Sequence, residues 1–117
     1  MQVEQVDFLT IPTRDPKRAM AFYTDVLGLP ASEHPGEVET PNVTLVFWNP
    51  ESQGVAFEPN TAGFALRVGD VEDAVEEARA AGAEVMGVED TGVCHMGFVS
   101  DPDGNTVILH RRYAPRG

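Results

Sequence analysis

The alternation of apolar and polar positions divides the chain into two successive halves. In the first half, Val6–Ile11 is rich in β-branched and apolar residues and predicts a strand. Apolar residues then recur at helical spacing, from an Asp15-Pro16 start to Gly28, which predicts a capped helix that ends at the glycine. The remaining predicted elements are a loop over residues 29–41 and strands at residues 42–48 and 54–58.

The second half repeats the same order of elements. Phe64–Val68 predicts a strand, and Asp70 predicts a helix cap, with Asp73 three residues later as in a capping box. The helix is expected to end at Gly82. Further strands are predicted at residues 84–88, 94–99 and 106–111. The last two are joined by the sequence Asp-Pro-Asp-Gly-Asn at residues 101–105, which has the proline and glycine of a tight turn.

An offset of 55 residues superimposes the two halves, because it places Asp15 on Asp70 and Ala19 on Ala74. This self-similarity predicts one α+β domain over residues 1–117, built from two tandem βαβββ modules at about 1–60 and 61–117. A single module cannot cover both faces of its sheet. Two modules together can form a curved mixed sheet around a cup, with the helices outside.

The composition of the chain argues against nucleic acid and membranes as partners. The 117 residues carry a formal net charge of −11, which would repel nucleic acid. No apolar run approaches the roughly 18 residues of a membrane span, and residues 1–5 lack the features of a signal peptide, so we expect a cytoplasmic protein with no membrane partner. Cys94 is the single cysteine, which excludes an internal disulfide. The basic residues 111–117 are interpreted as a solvated tail.

Two motifs carry a resemblance to a known family. RAMAFYTDVLGL at residues 18–29 and FVSDPDGN at residues 98–105 resemble the vicinal-oxygen-chelate superfamily. That superfamily includes glyoxalase I, bleomycin- and fosfomycin-resistance proteins and extradiol dioxygenases. The resemblance covers essentially the whole chain, and it implies the cup-shaped fold and a homodimer. It does not assign a function, since the superfamily hosts many chemistries as well as proteins that only bind.

The resemblance also implies a metal ion in the cup, held at four strand positions. Counting from the two motifs places Phe8, Gly63 and Ile108 at three of them, and Phe57 or Glu58 at the fourth. Phe, Gly and Ile side chains cannot ligate a divalent cation. We therefore expect no cofactor at the usual position. A divalent metal relocated to Glu58, His95 and His110 remains an alternative.

Strand alternation predicts which side chains line the cup. Thr10, Arg67 and His110 should face it, in phase with Phe8 and Ile108. The opposite phase is uniformly apolar and should pack against the helices. Arg67 suits a carboxylate or phosphate but equally a structural ion pair, and His110 suits either a structural hydrogen bond or acid–base chemistry. The phase of the strand that contains Cys94 and His95 is left open by the sequence.

These features predict a protein that binds a small organic molecule. The expected ligand-binding residues are Phe8, Thr10, Trp48, Phe57, Arg67, Ile108 and His110. One alternative is a lyase, isomerase or dioxygenase-like enzyme, using either the relocated metal or His110 as an acid–base catalyst. Another is a fold that serves only as a dimeric interaction module. Trp48 and Phe57 could also simply fill the core.

Overall fold

A computed structural model describes residues 1–116. Two compact units divide between Pro59 and Asn60. The first contains β1 (Phe8–Pro12), α1 (Pro16–Ala21, continued by a wider π-helical turn at Phe22–Val26), β2 (Glu37–Glu39), β3 (Thr44–Trp48) and a 3₁₀ turn (Pro50–Gln53). The second contains β4 (Phe64–Arg67), α2 (Val71–Ala80), β5 (Glu84–Asp90), β6 (Cys94–Ser100) and β7 (Thr106–Arg112).

The strands form a three-stranded sheet in the first unit, ordered β1-β3-β2, and a four-stranded sheet in the second, ordered β4-β7-β6-β5. In each unit the first strand lies parallel to the last, and the last strand is antiparallel to the strand before it. The predicted α+β class is therefore confirmed, and the two units share this arrangement of strands. No helix within residues 1–116 has the length and apolar character to cross a membrane.

Helix α1 begins where the sequence predicts. The Asp15 side chain accepts a hydrogen bond from the Arg18 backbone N–H at 3.2 Å. Pro16 occupies the first turn, where the N–H that proline lacks would have no acceptor within the helix. The first unit packs around the fully buried Tyr23, whose ring centroid lies 5.0 Å from that of Phe47. Each such aromatic pair contributes on the order of 1 kcal/mol beyond the area it buries.

One predicted strand of the first half, Gly54–Glu58, does not form. The 3₁₀ turn before it ends at Gly54, which has a φ of 73°, and the Val55 N–H bonds back to the Pro50 carbonyl at 3.0 Å. This cap redirects the chain, so the residues that follow do not join the sheet. The last strand of the first unit is therefore β3. The counterpart of β5 is reduced to an isolated bridge between Ala31 and Val38.

Helix α2 covers one face of the second sheet. The Asp70 side chain accepts the Asp73 N–H at 2.9 Å, which confirms the predicted cap. The apolar stripe of the helix is buried through Val71, Val75 and Ala78. The sheet approaches this stripe closely at a glycine of β6, where a Cβ atom on Gly97 would lie only 2.5 Å from the Val75 Cγ2.

The turn between β6 and β7 is a buried polar network. The Asp101 carboxylate accepts the backbone N–H groups of Asp103 and Asn105 at 2.9 Å, and the Asn105 side-chain amide at 2.8 Å. The Asn105 side-chain oxygen accepts the Asn60 N–H at 2.7 Å, while the Asn60 carbonyl accepts the Thr106 N–H at 2.9 Å. The turn thus ties the start of β7 to the segment that leads into β4.

Candidate functional site

Strand register decides which side chains share a face of the second sheet. Met96 and Arg67 both lie opposite His110, on β6 and β4 respectively, and Phe98 lies opposite Ile108. Directly paired residues project from the same face of a sheet. Arg67 and His110 are therefore neighbours, as the alternation predicts. We call the face that carries these five residues the open face.

The opposite face of the second sheet is the one that α2 covers. Gly97 pairs with Leu109 and lies under Val75, and His95 has the same phase as Gly97 along β6. His95 and His110 therefore project from opposite faces. This register establishes the phase of the strand that contains Cys94 and His95, which the sequence left open. It also places His95 and His110, two of the three residues of the alternative metal site, on opposite faces of the sheet. Within residues 1–116, no group of three or more His, Cys, Asp or Glu side chains is arranged to hold a metal ion.

One end of the open face is strongly cationic. A concavity of about 210 Å³ is lined by Arg67, His110, Arg111, Arg112, Ala114 and Arg116. Four arginines line it, half of the eight Lys and Arg residues in the chain, although Arg111 pairs with His95 and so has the opposite phase to His110 on β7. Arg112 follows His110 by two residues on β7 and shares its phase. That spacing is the signal in the sequence that would have added Arg112 to the expected site.

The C-terminal tail is hydrogen-bonded to the sheet, although most of its residues are exposed. The N–H groups of Tyr113 and Ala114 bond to the Val93 carbonyl at 3.0 and 3.1 Å, and the Tyr113 hydroxyl donates to Asp90 Oδ1 at 2.8 Å. An Arg112 guanidinium N–H reaches the Pro115 carbonyl at 3.2 Å. The interpretation of residues 111–117 as a solvated tail is therefore incomplete, because Arg111 and Arg112 belong to β7 and backbone hydrogen bonds to Val93 hold Tyr113 and Ala114. Gly117 lies outside the described residues.

The Asp90–Tyr113 hydrogen bond perturbs both groups. The Gly92 backbone N–H, followed by the Tyr113 hydroxyl and nearby His95, lowers the pKa of the Asp90 carboxyl below its ordinary value of 3.8. Donation to this carboxylate raises the pKa of the Tyr113 phenol above its ordinary value of 10.0. The bond therefore requires an ionised Asp90 and a protonated Tyr113.

Loss of the Tyr113 hydroxyl should loosen the tail in a pH-dependent way. A lowered carboxyl pKa stabilises the folded state above pH 3.8 and stops doing so as the pH falls through the folded value. A raised phenol pKa stabilises it below pH 10.0 and stops doing so as the pH rises through the folded value. We expect Tyr113→Phe to speed hydrogen exchange at the Tyr113 and Ala114 amides near neutral pH. The difference from the unmodified protein should shrink as the pH falls below 3.8 and through the lowered pKa of the folded Asp90 carboxyl, and a difference that stays constant throughout acid titration would contradict the assignment.

The first unit holds a more apolar concavity. It encloses about 370 Å³ and is lined by Thr10, Pro12, Trp48, Pro50, Val55, Ala56 and Glu58. The expected ligand-binding residues Thr10 and Trp48 thus meet at one site, and the Trp48 ring is partly exposed. Phe57 does not line this concavity, because its ring lies under the Arg14 guanidinium, 4.5 Å from ring centroid to carbon. Phe8 is exposed on the neighbouring part of β1.

Residues 5–109 match the family described as the Glyoxalase/Bleomycin resistance protein/Dioxygenase superfamily. The chain belongs to this superfamily. The expected resemblance is therefore confirmed at the level of the family. No curated protein matches the chain.

Several solved structures share the glyoxalase-superfamily fold with this chain. TnmS3, an antibiotic binding protein from Streptomyces sp. CB03234, is 24% identical with a TM-score of 0.79, and the match covers 96% of this chain and 98% of that one. Lactoylglutathione lyase from Agrobacterium tumefaciens is 19% identical with a TM-score of 0.78, covering 93% and 94%. A superfamily member from Sphaerobacter thermophilus DSM 20745 is 21% identical with a TM-score of 0.79, covering 92% and 97%. At these identities the likeness shows the fold alone.

The fourth strand position that the resemblance associates with a metal lies at Val46. The assignment to Phe57 or Glu58 depended on the strand at 54–58 that does not form. In the register, Thr10 pairs with Val46 on β3 as Ala65 pairs with Ile108 on β7. Because the 55-residue offset relates Thr10 to Ala65, Val46 corresponds to Ile108. Val46 has no donor atom in its side chain.

Gly63 is the position least compatible with a metal ligand. Its φ of 84° is in the left-handed region, and a Cβ atom there would lie 3.0 Å from Thr106 Cγ2 and 3.1 Å from the Thr106 carbonyl oxygen. Any ligand side chain at Gly63 would therefore strain the backbone. Phe8, Val46 and Ile108 correspond to the other three expected positions, and their side chains have no atom that can ligate a divalent cation.

Proposed function

We propose that this glyoxalase-superfamily protein binds a small organic molecule on the open face, without a divalent metal at the superfamily's usual position. The observation that carries the proposal is the asymmetry of the second sheet. Helix α2 buries one face, whereas the open face presents Ile108, Phe98 and Met96 only half-buried, next to Arg67 and His110. An apolar wall with a few polar groups at one end is the usual composition of a ligand site.

The first unit supplies a second apolar surface of the same kind. Its concavity of about 370 Å³ exceeds the roughly 300 Å³ at which pockets begin to hold drug-sized molecules. Trp48 offers an exposed ring for stacking, and Thr10 offers a hydroxyl for orientation. TnmS3 is an antibiotic binding protein, which is consistent with a binding function on this fold.

We assign His110 to ligand contact rather than to acid–base catalysis. A catalytic imidazole is commonly oriented by a carboxylate bonded to its second nitrogen. Within residues 1–116 no carboxylate bonds to the His110 side chain, and its strand partners are Arg67 and Met96. The imidazole can donate one hydrogen bond and accept another, which suits a polar group of a ligand.

The setting that we propose is a cytoplasmic homodimer. Cys94 is a free, buried thiol, which suits a reducing compartment. The dimer rests on the family resemblance and on the exposed apolar side chains of β1, Phe8 and Leu9, at the edge of its sheet. Size-exclusion chromatography with light scattering would distinguish a dimer from a monomer.

Ligand-dependent thermal melting tests the proposed function. We expect at least one compound in a panel of aromatic carboxylates, phosphates, amides and antibiotics to raise the melting temperature, since a ligand at 100 times its Kd adds about 2.7 kcal/mol. Ile108→Asp should abolish that shift by placing a charge in the apolar wall. Val88→Asp is the matched control, because Val88 is an exposed valine of the same sheet, 64% accessible, and the shift should persist. A ligand shift that survives in Ile108→Asp would refute the assignment of the open face.

A further inference from the structure

We propose that the cationic end of the open face binds a phosphate or carboxylate group of an organic ligand whose apolar body lies along Ile108 and Phe98. The inference rests on the proposed function and adds the chemical class of the ligand. Along β7, Ile108, His110 and Arg112 have the same phase, and Arg67 lies opposite His110. The surface therefore changes from apolar at the Phe98–Ile108 pair to cationic at the Arg67–His110 pair, two residues further along β7.

The charges at this end are uncompensated. Among residues 1–116, no acidic side chain forms an ion pair with Arg67, Arg112 or Arg116. The Arg112 Nε is buried and has no hydrogen-bond partner within that range. A buried unsatisfied donor costs about 1–3 kcal/mol, and more when it is charged. An anion bound between these groups would satisfy the donor and relieve the repulsion.

One of these guanidinium groups, that of Arg112, is already hydrogen-bonded to the C-terminal segment. Arg112 donates to the Pro115 carbonyl, which fixes the chain that carries Arg116. Tyr113, between them, is attached through Val93 and Asp90. Fixing a cation in the free protein lowers the ordering cost of binding. Guanidinium groups suit phosphate and carboxylate because their N–H pairs match two oxygens of the anion.

The size of the concavity and the net charge of the chain indicate a small anion rather than a polyanion. A space of about 210 Å³ holds a charged group and its near neighbours but not a large molecule. The formal charge of −11 would repel a nucleic acid backbone at longer range. A single anionic group experiences mainly the local arginines, because charges beyond about 8 Å are screened at physiological salt.

Isothermal titration of the full chain with matched probes tests the inference. The probes are 2-naphthyl phosphate, 2-naphthoic acid and 2-naphthol, which share a ring system, together with inorganic phosphate alone. We expect one of the two anionic naphthalenes to bind at least tenfold more tightly than 2-naphthol, and its affinity to fall as salt is added. The stronger anion distinguishes a phosphate site from a carboxylate site.

Arginine variants locate the binding. Arg67→Gln and Arg116→Gln should each weaken the preferred anion about tenfold and leave 2-naphthol unchanged. Arg79→Gln removes the same charge from the exposed surface of α2, where Arg79 pairs with Glu76, and should have no effect. Equal affinity for the anionic and neutral probes would overturn this inference while sparing the proposed function. Binding of inorganic phosphate alone would support the anion site and count against the apolar wall. Failure of every probe to bind would overturn this inference, and the melting panel would then decide the proposed function separately.

Discussion

Asn105→Ala is expected to lower the free energy of unfolding by about 3 kcal/mol. Asn105 is 1% exposed, and its side chain bonds to the Asn60 backbone and to the Asp101 carboxylate. Removing the amide takes an acceptor from the part-buried Asn60 backbone N–H and a donor from the buried Asp101 carboxylate. Such orphaned groups cost more than the hydrogen bonds themselves contribute. Urea denaturation followed by circular dichroism measures the change.

Asn42→Ala is the control for this loss. Asn42 is exposed, and its side-chain oxygen accepts one hydrogen bond from the nearby Thr40 hydroxyl. Its replacement should change the unfolding free energy by no more than about 0.5 kcal/mol. If Asn105→Ala were equally mild, the turn at residues 101–105 would be a simple connection rather than the polar network that joins β7 to the segment before β4.

Gly97→Ala should cost about 2 kcal/mol, and Gly97→Val more, by overpacking the contact between α2 and the sheet. The added Cβ would lie 2.5 Å from Val75 Cγ2, closer than carbon atoms can approach. The clash involves a buried β-branched side chain with few rotamers, so relief requires the helix to shift. Thermal and denaturant unfolding of the purified variants measure the loss.

Gly87→Ala provides the matched comparison on the adjacent strand. Gly87 is also a strand glycine without a left-handed φ, but a Cβ there would meet nothing within 4 Å. Alanine at this position should be neutral or slightly stabilising, because it restricts the unfolded chain. A similar loss for Gly87→Ala and Gly97→Ala would show that strand flexibility, and not the helix contact, requires glycine at residue 97.

Much of the fold could be predicted because its signals are local. Asp15 and Asp70 predict the starts of their helices because each side chain caps the backbone N–H three residues later. The prediction of a strand at 54–58 was wrong. It rested on the β propensity of these residues, but the capped 3₁₀ turn at Pro50–Gln53 directs the chain away from the sheet. Strand propensity describes the residues themselves and does not include the direction in which the preceding turn sends the chain.

The candidate site was predictable only where it follows strand alternation. The pairing of Arg67 with His110 follows from residue phase in two strands. The contribution of Arg116 does not, because Arg116 lies beyond the end of β7, where strand alternation makes no prediction. The fourth expected metal position was assigned to Phe57 or Glu58 instead of Val46. The reason is that the strand predicted at 54–58 was taken as the last strand of the first sheet, whereas that strand is β3.

The central claim is that the ligand occupies the open face of the second sheet. The most direct test is a titration of ¹⁵N-labelled protein with 2-naphthyl phosphate, or with the best compound from the melting panel, followed by amide chemical shifts. We predict that the largest changes fall on Arg67, Ile108 and His110 and their strand neighbours, while the amides of α2 move little. Shifts concentrated on α2, or confined to the first unit, would contradict the account.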